Sequence, residues 1–119
     1  MIRIEITPAT FKTAGRLKAS GHASGAPAGQ NILCATVTTL EGALQTNLRA
    51  CRGIRVYGHA RSGDVDLRWA KSDRHGKGLL RAGLAAEFVY LALAELEKSH
   101  PKELRVIWNE PKEEGEKRA

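Results

Sequence analysis

The sequence predicts an α+β fold, an α/β sandwich in which two helices pack against one small, mostly antiparallel sheet, with the elements in the order ββαββαβ. Two observations lead to this prediction. Several short stretches alternate apolar and polar residues with a period of two, which is typical of half-buried strands. Two longer stretches repeat apolar residues every three or four positions, which is typical of helices that bury one face. Packing both helices on the sheet is the natural way to cover these apolar faces.

The N-terminal stretch predicts a β-hairpin. Residues 2–6 alternate isoleucine with charged residues, as in a strand with one buried face. Pro8 and Ala9 mark a turn, and a looser alternation over residues 11–20 predicts the returning strand.

The next segment predicts a loop followed by a helix. Residues 21–30 contain three glycines and Pro27, a composition typical of loops. Asn31 is a good N-cap, and the helix is expected to run to about Ala50. Residues 37–39 are poor helix formers, so packing must override propensity there. The apolar face of this helix comprises Leu33, Val37, Leu40, Leu44 and Leu48.

The second half predicts a hairpin, a helix and a last strand. Residues 54–59 and 65–69 are predicted strands joined by a turn at Ser62 and Gly63. Residues 78–98 predict a helix that is apolar around much of its circumference, so it is either central or shared with a partner subunit. Residues 104–108 predict the final strand.

Length and composition indicate a single domain. The chain has 119 residues, of which 42% are hydrophobic and 27% charged, as expected for a globular protein. We expect one domain over residues 1–108 and a charged, frayed tail over residues 109–119. The sequence shows neither an apolar run long enough to span a membrane nor a signal peptide, which predicts a cytoplasmic protein.

The net charge of +6 permits binding of nucleic acid or of an acidic partner. The bases are scattered along the chain, without a run of five or six. A solvated basic surface is therefore the favoured interpretation, and nucleic-acid binding is an alternative that it does not require.

A histidine and a cysteine flank the small-residue loop. Cys34 falls in the first turn of the predicted helix, where unpaired N–H groups and the helix dipole favour a thiolate. His22 ends the preceding strand and could take the thiol proton. Backbone N–H groups near Ala35 could stabilise an oxyanion, and Asn31 could either orient the imidazole or cap the helix. Cys51 lies at the far end of the same helix, where the dipole has the wrong sign.

The loop between them could admit an extended peptide and then close over it. Such closure costs about 2 kcal/mol in chain entropy, so the loop is free to be ordered or mobile. The residues assigned to this substrate loop are Gly21, Ala23, Ser24, Gly25, Gly29 and Gln30.

Three other interpretations compete with catalysis. A lone helical cysteine is usually a small core residue. A zinc site from His22, Cys34, Cys51 and His59 lacks short ligand spacing. A phosphate-binding loop would need a Lys-Ser/Thr pair or a G-x-G-x-x-G pattern, which the loop does not have. Cysteine chemistry of this kind requires no metal and no cofactor.

The same residues resemble a known family, the ribosomal-processing cysteine proteases Prp (YsxB-like). The resemblance covers Ser-Gly-His-Ala at 20–23, Gly29, Asn-Ile-Leu-Cys-Ala at 31–35 and the spacing from histidine to cysteine. The segment GLLRAGLAAEFVYLALAELEKSHPKELRVI is similar to that family's long second helix, its Tyr/His-Pro break and its last strand. The likeness spans most of residues 1–108.

The resemblance implies a cytoplasmic homodimer with an α/β sandwich. It implies that His22 and Cys34 are the catalytic pair, which removes an N-terminal leader from a ribosomal protein of the large subunit after an aromatic residue. Phage and prophage relatives process capsid or scaffold proteins instead. This chain has Asn31 where the family usually has an acid, and residues 24–30 lack the family's aromatic and acidic residues, so the substrate stays open. A non-catalytic, basic RNA- or ribosome-binding module on the same fold is the alternative.

Overall fold

The computed structural model describes residues 1–22, 32–61 and 63–111. Strands and helices alternate in the predicted order ββαββαβ, which confirms the predicted fold class. The elements are β1 (Ile2–Thr7), β2 (Gly15–Ser20), α1 (Ile32–Arg49), β3 (Ile54–Arg61), β4 (Asp64–Lys71), α2 (Leu79–Ser99) and β5 (Leu104–Trp108).

The five strands form one sheet in the order β3-β4-β2-β1-β5. β1 and β2 pair as the predicted antiparallel hairpin, and β3 and β4 form a second hairpin alongside β2. β5 pairs with β1 in parallel, with Ile4 opposite Val106. Since α2 connects β4 to β5, it crosses the sheet to reach the far edge.

One face of the sheet forms the core with both helices. Alternate residues of the strands are buried on this face, among them Ile4, Leu17 and Trp69. α1 contributes Leu44 and α2 contributes Leu93, both fully buried. The apolar alternation seen in the sequence therefore marks the side on which the helices pack.

The second strand is shorter than predicted. It begins at Gly15, whereas the prediction began at residue 11. Thr10 forms a local turn, in which its Oγ1 accepts hydrogen bonds from the backbone N–H groups of Lys12 and Thr13 at 3.2 and 3.0 Å. A threonine hydroxyl that bonds nearby backbone in this way competes with strand pairing. Gly15 then leaves space for the Trp69 indole opposite it, which a Cβ would strike.

α1 matches its predicted range closely. It begins at Ile32, immediately after the residue predicted to cap it, Asn31, which lies outside the described residues. Threonine disfavours helix, but two threonines of α1 form side-chain hydrogen bonds with the helix backbone. The Thr36 hydroxyl donates to the Ile32 carbonyl at 2.8 Å and the Thr39 hydroxyl to the Ala35 carbonyl at 2.9 Å. Burial of Val37 and Leu44 then offsets the low propensity.

α2 buries one side and exposes a second apolar stripe. Ala82, Ala86, Val89 and Leu93 face the core. Opposite them, Leu80, Leu84, Phe88 and Leu91 are largely exposed, Leu80 by 76% and Phe88 by 72%. The sequence left two interpretations of this helix, a central position or a contact with a partner subunit. In a single chain α2 is not central, because half of the helix faces outward.

The other face of the sheet is open and basic. Among the bases that alternation and strand register place there are Arg3, Arg16, Lys18, Arg55, Arg68 and Arg105. Asp66 lies among them, with its Oδ2 2.7 Å from Arg16 and its Oδ1 3.1 Å from Arg68. Hydrogen bonds from Arg16 and then Arg68 lower the pKa of this carboxyl. Residues scattered in sequence thus share one surface.

Candidate active site

A cleft of about 610 Å³ separates α1 from the ends of the strands. One wall is the face of α1 that carries Cys34 and Glu41. The other wall comes from the end of β2 and from the β3–β4 hairpin, including Gly63. Elements that are distant in sequence therefore meet at this cavity.

His22 lies just beyond the end of β2 and lines the cleft. Its carbonyl accepts a hydrogen bond from the main-chain nitrogen of Met1 at 3.1 Å, and the neighbouring Gly21 N–H donates to the Gly63 carbonyl at 3.1 Å. Gly63 also lies directly against the imidazole ring, so that a Cβ on this glycine would strike the ring. The turn of the second hairpin therefore holds the histidine in place.

Cys34 lines the same cleft from the first turn of α1 and is half-buried. The two cysteines form no disulfide bond. Cys51 is 4% exposed, and its Sγ lies 3.7 Å from the Gly78 carbonyl. It is thus a core residue at the opposite end of α1, as the sequence indicated.

The remaining predicted site residues divide into two groups. Gly21 and Ala35 line the cleft beside His22 and Cys34. Gly21 has φ +93°, and a Cβ there would strike the Met1 carbonyl, so this position needs glycine. The predictions for Asn31 and for the loop residues Ala23, Ser24, Gly25, Gly29 and Gln30 lie outside the described residues.

The four residues weighed as zinc ligands do not converge. Cys34 is in the first turn of α1 and Cys51 lies two residues beyond the helix end at Arg49, so about 23 Å of helix separates them. His59 instead faces Asp64, with its Nε2 3.2 Å from that carboxylate. Within residues 1–22, 32–61 and 63–111, no three His, Cys, Asp or Glu side chains are grouped so that they could hold a metal ion.

Sequence reasoning missed Glu41 as a residue of the site. This carboxyl lines the cleft, and burial raises its pKa from 4.5 to about 7. A signal for it exists in the sequence: Cys34, Thr38, Glu41 and Gln45 follow the spacing i, i+4, i+7, i+11, which keeps them on one side of the helix. The prediction followed the apolar stripe that defines the core and overlooked this polar one.

Comparison with known proteins identifies the class. A family model described as "Cysteine protease Prp" matches residues 1–105, and the match defines the chain as a cysteine protease. More particularly, because the match covers most of the sequence, the chain belongs to the cysteine protease Prp family. This confirms the resemblance found in the sequence. A search of curated proteins gives no match.

Solved structures share the fold. The essential ribosomal processing protease Prp from S. aureus, in complex with a covalently linked product peptide, superposes with a TM-score of 0.68 at 16% identity. The alignment covers 92% of this chain and 100% of that one. The same protein with a substrate peptide gives 0.65 at 15% identity, with coverage of 92% and 100%. SMU.848 from Streptococcus mutans gives 0.65 at 21% identity, with coverage of 93% and 96%.

Neither α1 nor α2, the two helices of the described part of the chain, combines the length and the apolar character needed to cross a membrane.

Proposed function

We propose that this chain is an endopeptidase in which Cys34 is the nucleophile and His22 the general base. The observation that supports this most directly is that His22 and Cys34, from a strand end and a helix start, line one cleft of about 610 Å³ in a member of a cysteine protease family. No other cysteine is available to the cleft, because Cys51 is in the core. Residues 1–108 form the protease domain, followed by the charged segment 109–119.

The reaction follows from this pair. His22 accepts the proton of the Cys34 Sγ, and the thiolate attacks the carbonyl carbon of the scissile peptide bond. Backbone N–H groups at the start of α1, including that of Ala35, stabilise the oxyanion. The imidazolium then protonates the leaving amine as the C–N bond breaks, and water hydrolyses the remaining thioester. The proposal also includes the roles predicted from the sequence for Asn31, to orient the imidazole or to cap the helix, and for the loop from Gly21 to Gln30, to admit the peptide and close over it.

The substrate class follows from the relatives. The S. aureus structures are of a ribosomal processing protease, one of them with a substrate peptide. We propose that this chain, acting in the cytoplasm, removes the N-terminal leader of a large-subunit ribosomal protein. A phage or prophage member that processes a capsid or scaffold protein is the second form of the same proposal, because the loop from Ser24 to Gln30 lacks aromatic and acidic residues.

We also propose that the protein is a homodimer in which the exposed stripe of α2 forms the interface. Its four large apolar side chains lie within an arc of about 80° over three turns. An exposed apolar surface of this kind commonly marks a protein–protein contact. The stripe lies opposite the helix's buried face, so it is not needed for the core of one chain.

Cleavage can be tested by incubating the protein with a leader-bearing large-subunit ribosomal protein and with capsid and scaffold proteins, and mapping new N-termini. We expect one new terminus, which disappears in Cys34→Ala and His22→Ala and persists in Cys51→Ala. Retained cleavage in Cys34→Ala would contradict the assignment of the nucleophile. Cleavage of the capsid or scaffold protein alone would identify a phage-type substrate.

A second candidate function is RNA or ribosome contact through the open basic face of the sheet. A purely non-catalytic binding module no longer competes with the protease, because the chain belongs to a cysteine protease family. The shared placement of these bases on one surface favours contact with a polyanion as an additional property.

A further inference from the structure

A line of polar side chains runs along α1 away from the nucleophile. After Cys34 it contains Thr38, Glu41 and Gln45, all of which line the cleft. Glu41 is seven residues beyond Cys34, which corresponds to about 10 Å along the helix axis. An extended peptide advances about 3.3 Å per residue. A substrate lying along this wall would therefore place its third residue from the scissile bond beside Glu41.

Glu41 has an oxygen without a donor. Its Oε2 is out of contact with solvent and accepts no hydrogen bond from any described residue. The cleft around it includes apolar side chains from the sheet and the helix, such as Ala19, Val37 and Leu67. Leaving a buried acceptor unsatisfied is costly, and burial accordingly raises the pKa of the Glu41 carboxyl to about 7. A ligand that brings a donor into the cleft removes this cost.

The other charged and titratable groups that the structure describes in the cleft do not supply that donor. His22 at the end of β2, Cys34 on α1, Arg61 on β3 and Asp64 on β4 all line the same cavity. The pKa of Glu41 is raised by burial, and none of these groups offsets that rise. Apart from the imidazole and the thiol, the described walls hold two carboxyl groups and one guanidinium, although the chain as a whole carries +6. The cleft thus differs in charge from the rest of the protein and complements a cation.

We propose that Glu41 is the recognition group of a specificity subsite that takes a lysine or arginine side chain of the substrate, about three residues from the scissile bond. The cationic head group donates hydrogen bonds to the buried carboxylate, and its aliphatic stem packs against the apolar wall. This inference rests on the proposed protease function, because it uses the same cleft.

The test with active enzyme uses matched peptides built on a sequence that the protein cleaves. Lysine or the uncharged norleucine is placed in turn at each of four positions on either side of the cut, and kcat/KM is measured for each pair. We expect lysine to be preferred about ten- to a hundredfold at one position near the third. Glu41→Gln should abolish the preference for lysine over norleucine at that position. Glu95→Gln removes an exposed acid of α2 and should preserve the preference.

The pH dependence provides a second readout. Ionisation of Glu41 should strengthen the preference for lysine as the pH rises from 6 to 8. The ratio of the rates for the two peptides cancels every effect of pH on the chemical step, because that step is common to both peptides. Equal rates for lysine and norleucine peptides at every position, or an unchanged preference in Glu41→Gln, would overturn the inference.

A binding experiment separates the inference from the proposed function. Cys34→Ala protein is titrated with a capped Ala-Ser heptapeptide that has a central lysine, and with its norleucine twin, while the carbon-13 NMR signal of the Glu41 carboxyl is followed. We expect the lysine peptide alone to shift this signal and to lower the apparent pKa of the carboxyl. If the natural protein also cleaves none of the tested substrates, that result would support the subsite and contradict the protease proposal. Identical responses to the two peptides would refute the subsite even if cleavage is observed.

Discussion

Cys34 and Cys51 occupy opposite ends of one helix and differ in their access to reagents. Cys34 is half-buried at the wall of an open cleft, whereas Cys51 is 4% exposed in the core. If His22 and Cys34 form the proposed pair, iodoacetamide should label Cys34 first near pH 6, because an imidazolium beside the sulfur would stabilise the reactive thiolate. His22→Ala should slow this labelling and leave Cys51 unaffected. Mass spectrometry of the labelled peptides measures both rates.

Slow labelling of both cysteines at equal rates, unchanged by His22→Ala, would mean that the imidazole and the thiol do not act as a pair. The catalytic proposal would then lose its basis.

Glu41 makes the stability of the fold depend on pH in a defined direction. Its pKa is about 7 in the folded chain and about 4.5 in the unfolded one, so the folded state holds the proton more tightly. The stability that this provides is complete below pH 4.5 and is lost as the pH rises through 7. Glu41→Gln lacks this loss, so its free energy of unfolding should match that of the natural protein near pH 4 and exceed it by about 3 kcal/mol near pH 8. Urea unfolding at both pH values measures the difference.

A control for this prediction is Glu95→Gln, which changes an exposed carboxylate on α2. It should show no comparable difference between the two pH values. A Glu41→Gln protein that is less stable than the natural one at pH 8 would contradict burial as the dominant effect at this position.

At the scale of elements, the turn between β3 and β4 positions the histidine of the preceding hairpin. Gly63 has φ +77°, and its missing Cβ leaves room for the His22 ring. Gly63→Ala should therefore displace the imidazole and lower kcat/KM at least tenfold, besides the cost of about 1–2 kcal/mol for a left-handed alanine. Peptide cleavage and thermal unfolding are measured together.

Gly53→Ala is the matched control, because Gly53 has a similar φ of +79° but lies against Asp73, outside the cleft. It should cost comparable stability and leave the activity unchanged. Equal losses of activity in the two variants would mean that Gly63 acts through general stability and does not position His22.

The outward stripe of α2 makes a prediction about assembly. Phe88→Asp places a charge at the centre of the stripe, where it would be desolvated in a dimer. We expect the natural protein to sediment as a dimer at micromolar concentration and Phe88→Asp to sediment as a monomer. Tyr57→Asp alters another exposed aromatic residue, on the face of the sheet opposite the helices, and should leave the dimer intact. A monomeric natural protein would exclude this interface.

At the scale of the whole molecule, the fold gathers charges that the sequence disperses. If the open face contacts RNA, the affinity for a short single-stranded RNA should fall steeply between 50 and 200 mM salt as counterions are released. Arg55→Glu with Arg105→Glu should weaken binding severalfold, since both side chains are exposed on this face. Lys102→Glu, outside the sheet, is the control. Absence of salt-dependent binding would exclude RNA as a partner.

The sequence predicted local structure well where a single period dominated. The isoleucines of β1 and the leucine stripe of α1 each follow one period, because each element buries one face. The start of β2 was predicted too early, since the Thr10 turn depends on a hydroxyl group that hydrophobic periodicity does not detect. The sequence showed that α2 is apolar on more than one side. It did not show which of these sides packs on the sheet and which faces outward.

The sequence by itself determined the order of the elements and the family, and it predicted Cys34 over Cys51 as the nucleophile, since these follow from periodicity, motif spacing and position on a helix. Only the tertiary structure decided that the two hairpins join through β2 and β4, that β5 runs parallel to β1, and that the scattered bases share one face. It also decided that Glu41 is buried in the cleft that Cys34 lines, with an oxygen that no described donor reaches. Strand order, burial and desolvation depend on residues distant in sequence, and no local pattern records those contacts.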